Sequence, residues 1–209
     1  MSATAVTPAA SVGRPRAFDI EKALHKALDV FWRKGYEGAS LPDLCQAMGI
    51  NKPSLYAAFG NKEQLFLKAI ELYENRPCAY FYPALDKASS FEVVEHMLMG
   101  VALSHNDSQN PPGCILVQGA LACSEAAAVV KEALILKRKA AEVALCQRLQ
   151  HAKDQADLPV DADPAALARY IVAVLQGMAV QATSGASCAE LQQVAQTVLN
   201  AWPGTRPRR

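Results

Sequence analysis

The stretch from Ser40 to Lys62, SLPDLCQAMGINKPSLYAAFGNK, constrains the fold more than any other part of the 209-residue chain. Ser40 has the side chain of an N-cap, and Asp43 stands three residues on, where a capping box needs a carboxylate or amide. Pro42 falls in the first turn, where a missing N–H costs nothing. Leu41, Leu44, Cys45 and Met48 recur at helical spacing and form one apolar stripe. Gly49 supplies the left-handed residue that ends a helix. Ile50 plugs the joint, and Asn51 offers the next N-cap ahead of Lys52 and Pro53. Leu55 and Phe59, four apart, give the second helix a buried face, and Gly60-Asn61 closes it. Two short helices about a glycine turn predict a helix-turn-helix.

In such motifs the N-terminal end of the second helix meets base edges in the major groove. Here that end is Asn51, Lys52, Pro53 and Ser54. Asparagine can pair with adenine, lysine can reach guanine, and serine donates or accepts. Pro53 offers apolar contact only. Upstream, Gly13-Arg14-Pro15-Arg16 forms an extended basic arm, suited to a narrow minor groove through Arg14 and Arg16. The plainer alternative for that arm is a solubilising linker.

Charge does not advertise a nucleic-acid binder, since the whole chain carries a formal net +1. Between Ser11 and Gly60 seven basic residues face five acidic ones, a mild local excess. Affinity must then come from placement and from two heads acting together. Six cysteines show no paired spacing, and no Cys-x-x-Cys or His-x-x-x-His occurs, so neither a metal nor any other cofactor is expected. No signal peptide and no bilayer-crossing run is read, which leads to a cytoplasmic protein without a membrane partner.

The remaining pattern is helical throughout. Residues 1–12 have no period and read as a tail. From Asp19 as N-cap, Ile20, Ala23, Leu24, Ala27, Leu28, Phe31 and Trp32 mark a first helix that Gly35 should end. Leu65 to Tyr73 continues as a helix that Arg76-Pro77 should stop, followed by an aromatic connector, Cys78 to Ser90. Further helices are predicted over Phe91–His105, opened by Ser90, and over Cys114–Ser124, Glu125–Ala156, Leu167–Ala182 and Leu191–Leu199. The basic end TRPRR reads as loose. The predicted organisation is all-α with about nine helices: a tail (1–12), a helix-turn-helix domain (13–62), a helical body (63–203) and a basic tail (204–209).

The run from Phe18 to Leu67 resembles the DNA-binding region of the TetR family of bacterial transcriptional repressors. Ala27, Phe31, Gly35, Tyr36, Ser40, Leu44, Ala47, Gly49, Ile50, Leu55, Tyr56, Phe59, Lys62 and Leu65 carry the resemblance. PPGCILVQGALAC and ADPAALARYIVAVLQGMAVQA extend it, with less specificity, over most of the chain. One departure is Ala57, where many members carry a second aromatic. The resemblance implies a homodimer with a DNA head and a ligand-binding body. Its DNA-contacting set would be Arg14, Arg16, Ser40, Asn51, Lys52, Pro53, Ser54, Tyr56 and Lys62, with Tyr56 and Lys62 on phosphates. The last two long helices would pair with their mates through Leu167, Ile171, Leu175, Met178, Leu191, Val194 and Val198.

The function so implied is a ligand-responsive repressor whose dimer grips a palindromic double-stranded DNA operator. An unidentified small-molecule effector would enter a pocket between the Leu65–Tyr73, Phe91–His105, Cys114–Cys123 and post-Glu125 helices. Tyr73, Met97, His105 and Cys114 are its candidate lining, and the Leu65–Tyr73 helix would act as a lever on the head. An alternative within the same architecture is a thiol or soft-metal sensor through Cys114 and Cys123. An enzyme is not expected, because His96, His105, Glu95 and Glu125 form no triad or metal spacing.

Overall fold

The computed structural model describes residues 18–104, 110–121 and 127–206, and among these every regular element is helical. The order is α1 Ile20–Gly38, α2 Leu41–Met48, α3 Lys52–Phe59, α4 Lys62–Asn75, α5 Phe81–Ala84, α6 Ser90–Ser104, α7 Ile115–Leu121, α8 Ala128–Asp154, α9 Pro164–Thr183 and α10 Cys188–Asn200. The all-α class agrees with the sequence pattern. The element without a sequence signal is α5, one short turn inside the aromatic connector.

Local signals place the first helices. The Asp19 side chain accepts from the Lys22 N–H, and Ala23, Ala27, Leu28, Phe31 and Trp32 turn inward. Gly35 does not end α1. It kinks it, at φ 69° and ψ 176°, and a helical turn resumes as far as Gly38. The kink brings Tyr36 beside Phe66, with ring centroids 5.2 Å apart.

Two apolar cores form. The head core joins α1–α4 and is dense in edge-on aromatic pairs, Phe31 with Phe66 at 5.0 Å and Trp32 with Tyr73 at 4.8 Å. It does not stop at residue 62. Leu65, Phe66, Ala69, Ile70 and Tyr73 of α4 belong to it, and so do Ile115 of α7 and Val130 and Leu134 of α8. The body core gathers α5, α6, α9 and α10 around Leu145, Leu149 and Ala152 of the same α8. This helix of 27 residues, about 40 Å long, therefore fastens both cores.

The head is thus held by more than the α4 lever. The Trp32 indole N–H donates to the Gly113 carbonyl at 2.9 Å, a buried bond across 81 residues of sequence. Gly113 has φ +88°, and a Cβ there would stand 2.4 Å from Thr183 Cγ2. Only glycine permits that approach.

Three expectations are corrected. Residues 204–206 are not loose: the Thr205 N–H donates to the Asp157 carbonyl, and the Arg206 guanidinium donates to the Leu199 carbonyl and covers the Phe91 ring. The basic end carries donors that the last carbonyls of α10 need. Ser90 does not cap α6. Ser89 does, exchanging hydrogen bonds with Glu92, while Ser90 is buried and accepts from the Trp202 indole. Finally, Pro164–Thr183 is long and apolar enough, by length and composition, to cross a membrane. One face of that helix is spent on the body core, through Ala168, Ile171, Leu175 and Met178.

Trp32→Phe keeps most of the buried ring and removes the donor to Gly113. The unpaired carbonyl should cost about 1–3 kcal/mol, read as a lower urea midpoint with unchanged slope.

Candidate functional site

The helix-turn-helix is built as its residues dictate. Ser40 Oγ accepts from the Asp43 N–H at 3.2 Å, and the Asp43 carboxylate accepts from the Ser40 N–H at 3.1 Å. Asp43 also takes the Lys34 ammonium at 2.9 Å. These hydrogen bonds, Lys34 first, hold its carboxyl down to about 2. At the far end of α2, Gly49 has φ 67°, and the Ile50 N–H returns to the Cys45 carbonyl at 3.1 Å. That is a Schellman closure, and it sets α3 off at its angle.

The α3 helix presents its polar side outward. Leu55 and Phe59 are buried, while Asn51, Lys52, Pro53, Tyr56 and Ala57 are exposed and Ser54 is half-buried. Tyr56 is 41% exposed, with Lys52 Nζ 5.7 Å from its ring centroid. Among the described residues Lys52 has no ion-pair partner. Its charge is therefore free for an anion or a base edge. Among the described residues nothing walls off this face.

Two members of the predicted set are already engaged. Asn51 Oδ1 accepts from the Ser54 N–H at 2.9 Å, so bidentate pairing of that amide with adenine N6 and N7 would compete with the cap. Its amide N–H₂ remains available. Lys62 is half-buried, with Nζ 4.4 Å over the Tyr36 ring. Burial lowers its pKa, and Glu37 opposes that. It fastens α4 to the kink of α1 by a cation–π contact. The start of α4 carries a capping box that sequence reading missed, Asn61 with Gln64, because Asn61 had been spent on closing α3. Ser40 is exposed and divides its hydroxyl between cap and carboxylate. Arg14 and Arg16 lie outside the described residues.

Behind the head, an apolar cavity of about 90 Å³ opens between α4, α7, α8 and α9. Tyr73 and Cys114 line it, as the sequence proposed. Met97 does not: it is wholly buried in the body core, where the α6 stripe puts it. His105 lies outside the described residues. Missed lining residues include Cys78 and Tyr80 from the aromatic connector. The space exists partly because Ala141 interrupts the α8 stripe between Leu134 and Leu145. Burial drives the Cys78 thiol up to about 12, raises Cys114, and lifts both phenols well above their usual range. All four groups are neutral near pH 7. Because thiolate is the reactive form, the raised pKa of Cys114 weighs against sensing there. Cys123 lies outside the described residues.

The predicted interface residues divide. Ile171, Leu175, Met178, Leu191 and Val198 pack inside the protomer's own body core, and Leu167 is half-buried against it. Periodicity marks a buried face without saying whose core buries it. Of that set Val194 is exposed, at 40%. On α9 the exposed large apolar side chains are instead Tyr170 and Val180, and half-buried Val174 lines with Gly177 a groove of about 400 Å³ between α9 and α10.

Known proteins share this architecture. The sequence model for "Bacterial regulatory proteins, tetR family" matches residues 23–69, and that for "Tetracyclin repressor-like, C-terminal domain" matches 94–198. The HTH-type transcriptional repressor ComR of Escherichia coli (strain K12) is 33% identical over 199 residues, which is 92% of this chain and 93% of ComR. A cysteine-substituted TetR family regulator CifR, solved with 26-bp double-strand operator DNA, is 39% identical, with a TM-score of 0.86 over 91% of this chain and 100% of that one. A TetR transcriptional regulator from Rhodococcus sp. RHA1 is 36% identical, with a TM-score of 0.62 over 88% of this chain and 98% of that one.

The Ser40–Asp43 box gives a pH signature. A carboxyl depressed from 3.8 to about 2 contributes stability that is complete above pH 3.8 and disappears as the pH falls through about 2. A carbon-13 titration of the Asp43 carboxyl should therefore show its midpoint near 2, and Lys34→Met should move that midpoint upward.

Proposed function

The chain belongs to the TetR family of bacterial regulatory proteins, and on that premise we propose that it is a ligand-responsive repressor whose homodimer grips a palindromic operator. The coarser part of that statement is settled: it is a DNA-binding transcription regulator of the helix-turn-helix type and not an enzyme. The DNA-reading part of the finer statement rests on one observation. Among the described residues the face of α3 that bears Lys52, Pro53 and Tyr56 is exposed, and Asn51 caps its leading end.

In this reading Lys52 and the free N–H₂ of Asn51 face base edges. Tyr56, Ser40 and the α3 backbone hold phosphates and fix the register. Arg14 and Arg16 would follow the minor groove. Two copies of α3 enter successive major grooves about 34–36 Å apart. The Tyr170–Val174–Gly177 face and Val194 join the copies. Gly177 has no atom within 4 Å of a would-be Cβ, which leaves room for a partner helix to approach closely. The protein works in the cytoplasm, with the DNA.

An effector in the cavity opposes operator binding by favouring a conformer in which the heads are spaced differently. Coupling of this kind is typically about 1–3 kcal/mol and acts equally in both directions. Its route is the shared core: α7 and α8 line the cavity through Val117 and Ala141 and enter the head core through Ile115, Val130 and Leu134. A thiol switch at Cys114 is the weaker reading, because burial keeps that group protonated.

Mobility-shift titration on sites selected from random DNA tests the head. Lys52→Ala should weaken binding by about 1–3 kcal/mol and relax preference at one base position, whereas Tyr56→Phe should weaken it without changing preference. Wild-type affinity in both variants would sink the assignment. Sedimentation equilibrium tests the pairing face: Gly177→Arg should leave a folded monomer with weakened operator binding.

A further inference from the structure

The cavity has a polarity that the effector reading does not by itself require. Its interior is apolar, set by Val117, Leu175 and the rings of Tyr73 and Tyr80. Its rim holds Glu74, Lys137, Arg138 and Gln176. Two of these cancel: the Lys137 ammonium is hydrogen-bonded to the Glu74 carboxylate. Among the described residues neither the Arg138 guanidinium nor the Gln176 carboxamide has an ion-pair or hydrogen-bond partner. Counted over the described residues, the lining then carries one net positive charge, the Arg138 guanidinium, a planar fork of donors. Among the described residues no acidic side chain lines the cavity apart from Glu74, which is paired with Lys137.

We propose that the cavity takes a small organic acid, its short apolar part between Tyr73, Tyr80, Val117 and Leu175 and its carboxylate on Arg138 and Gln176. This rests on the effector reading above and names the class of its ligand. Size narrows the class. At about 90 Å³ the space is smaller than the roughly 150 Å³ apolar cavity that holds benzene, so the apolar part is a short chain. Charge narrows it further. A cation would meet the Arg138 guanidinium and be repelled, and a neutral molecule would leave that guanidinium without the bidentate partner that suits it. The neutral thiols and phenols of the interior add no charge, so they accept an alkyl group and do not attract a second ion.

The test uses the full chain and three probes: butyrate, its neutral isostere butyramide, and octanoate. Calorimetric titration at constant ionic strength should show saturable binding of butyrate, with butyramide and octanoate each about tenfold weaker or worse. Arg138→Gln, at a half-exposed position, should lower butyrate affinity about tenfold while leaving operator affinity and melting temperature unchanged. Ala141→Phe should fill the space and abolish butyrate binding. Equal binding of butyramide, an unaffected Arg138→Gln, or no binding of butyrate would each overturn the ligand class. A mobility-shift assay separates the two readings. Butyrate that binds through Arg138 yet leaves operator affinity unchanged would overturn the ligand-responsive function and keep the class. Operator release by butyrate would support both.

Discussion

One helix belongs to two cores, and the rest of the molecule is arranged around that fact. The first half of α8 puts Val130 and Leu134 among the aromatic rings of the head. Its second half puts Leu145, Leu149 and Ala152 among α6, α9 and α10. Interiors packed at crystal density do not deform continuously. A displacement of α8 in the body must therefore appear in the head. The Trp32–Gly113 hydrogen bond and the Ile115 contact add a second tie through α7. The Glu74–Lys137 pair adds a third, from the end of α4. The head is not a module hung on a linker.

The α3 helix illustrates the opposite design. It is eight residues long, too short to be stable alone, and buries only Leu55 and Phe59. Its geometry comes from its ends. Asn51 caps the start, and the Gly49 closure sets the angle. Local bonds of this kind leave the remaining side chains of α3 free to face outward. The same economy limits chemistry: an amide whose oxygen caps the helix keeps only its N–H₂ wholly free for a base.

Departures from expectation share a cause. Stripes at helical spacing located the helices well, with ends shifted by a few residues at α7 and α8. They could not say which of two surfaces buries a stripe. Ile171, Leu175 and Met178 satisfy the requirements of a dimer seam and of a protomer core equally, and here the protomer's own core takes them. Met97 met the same fate against a pocket wall. The kink at Gly35 is likewise invisible in a pattern, because a glycine that ends a helix and one that bends it carry the same signal until Tyr36 finds Phe66.

Sequence alone settled what depends on neighbours along the chain: the all-helical class, the Ser40–Asp43 box, the left-handed Gly49, the Asn51 cap and the identity of the exposed residues at the start of α3. Those features are fixed by hydrogen bonds and spacings within four or five residues. Tertiary structure decided everything that needs residues far apart to meet. It set α8 across two cores, placed Trp32 on Gly113 across 81 positions, gathered Cys78, Tyr80 and Arg138 at one cavity and left Tyr170 and Gly177 facing outward. No local pattern encodes such meetings, because they are chosen by the packing of whole helices against one another.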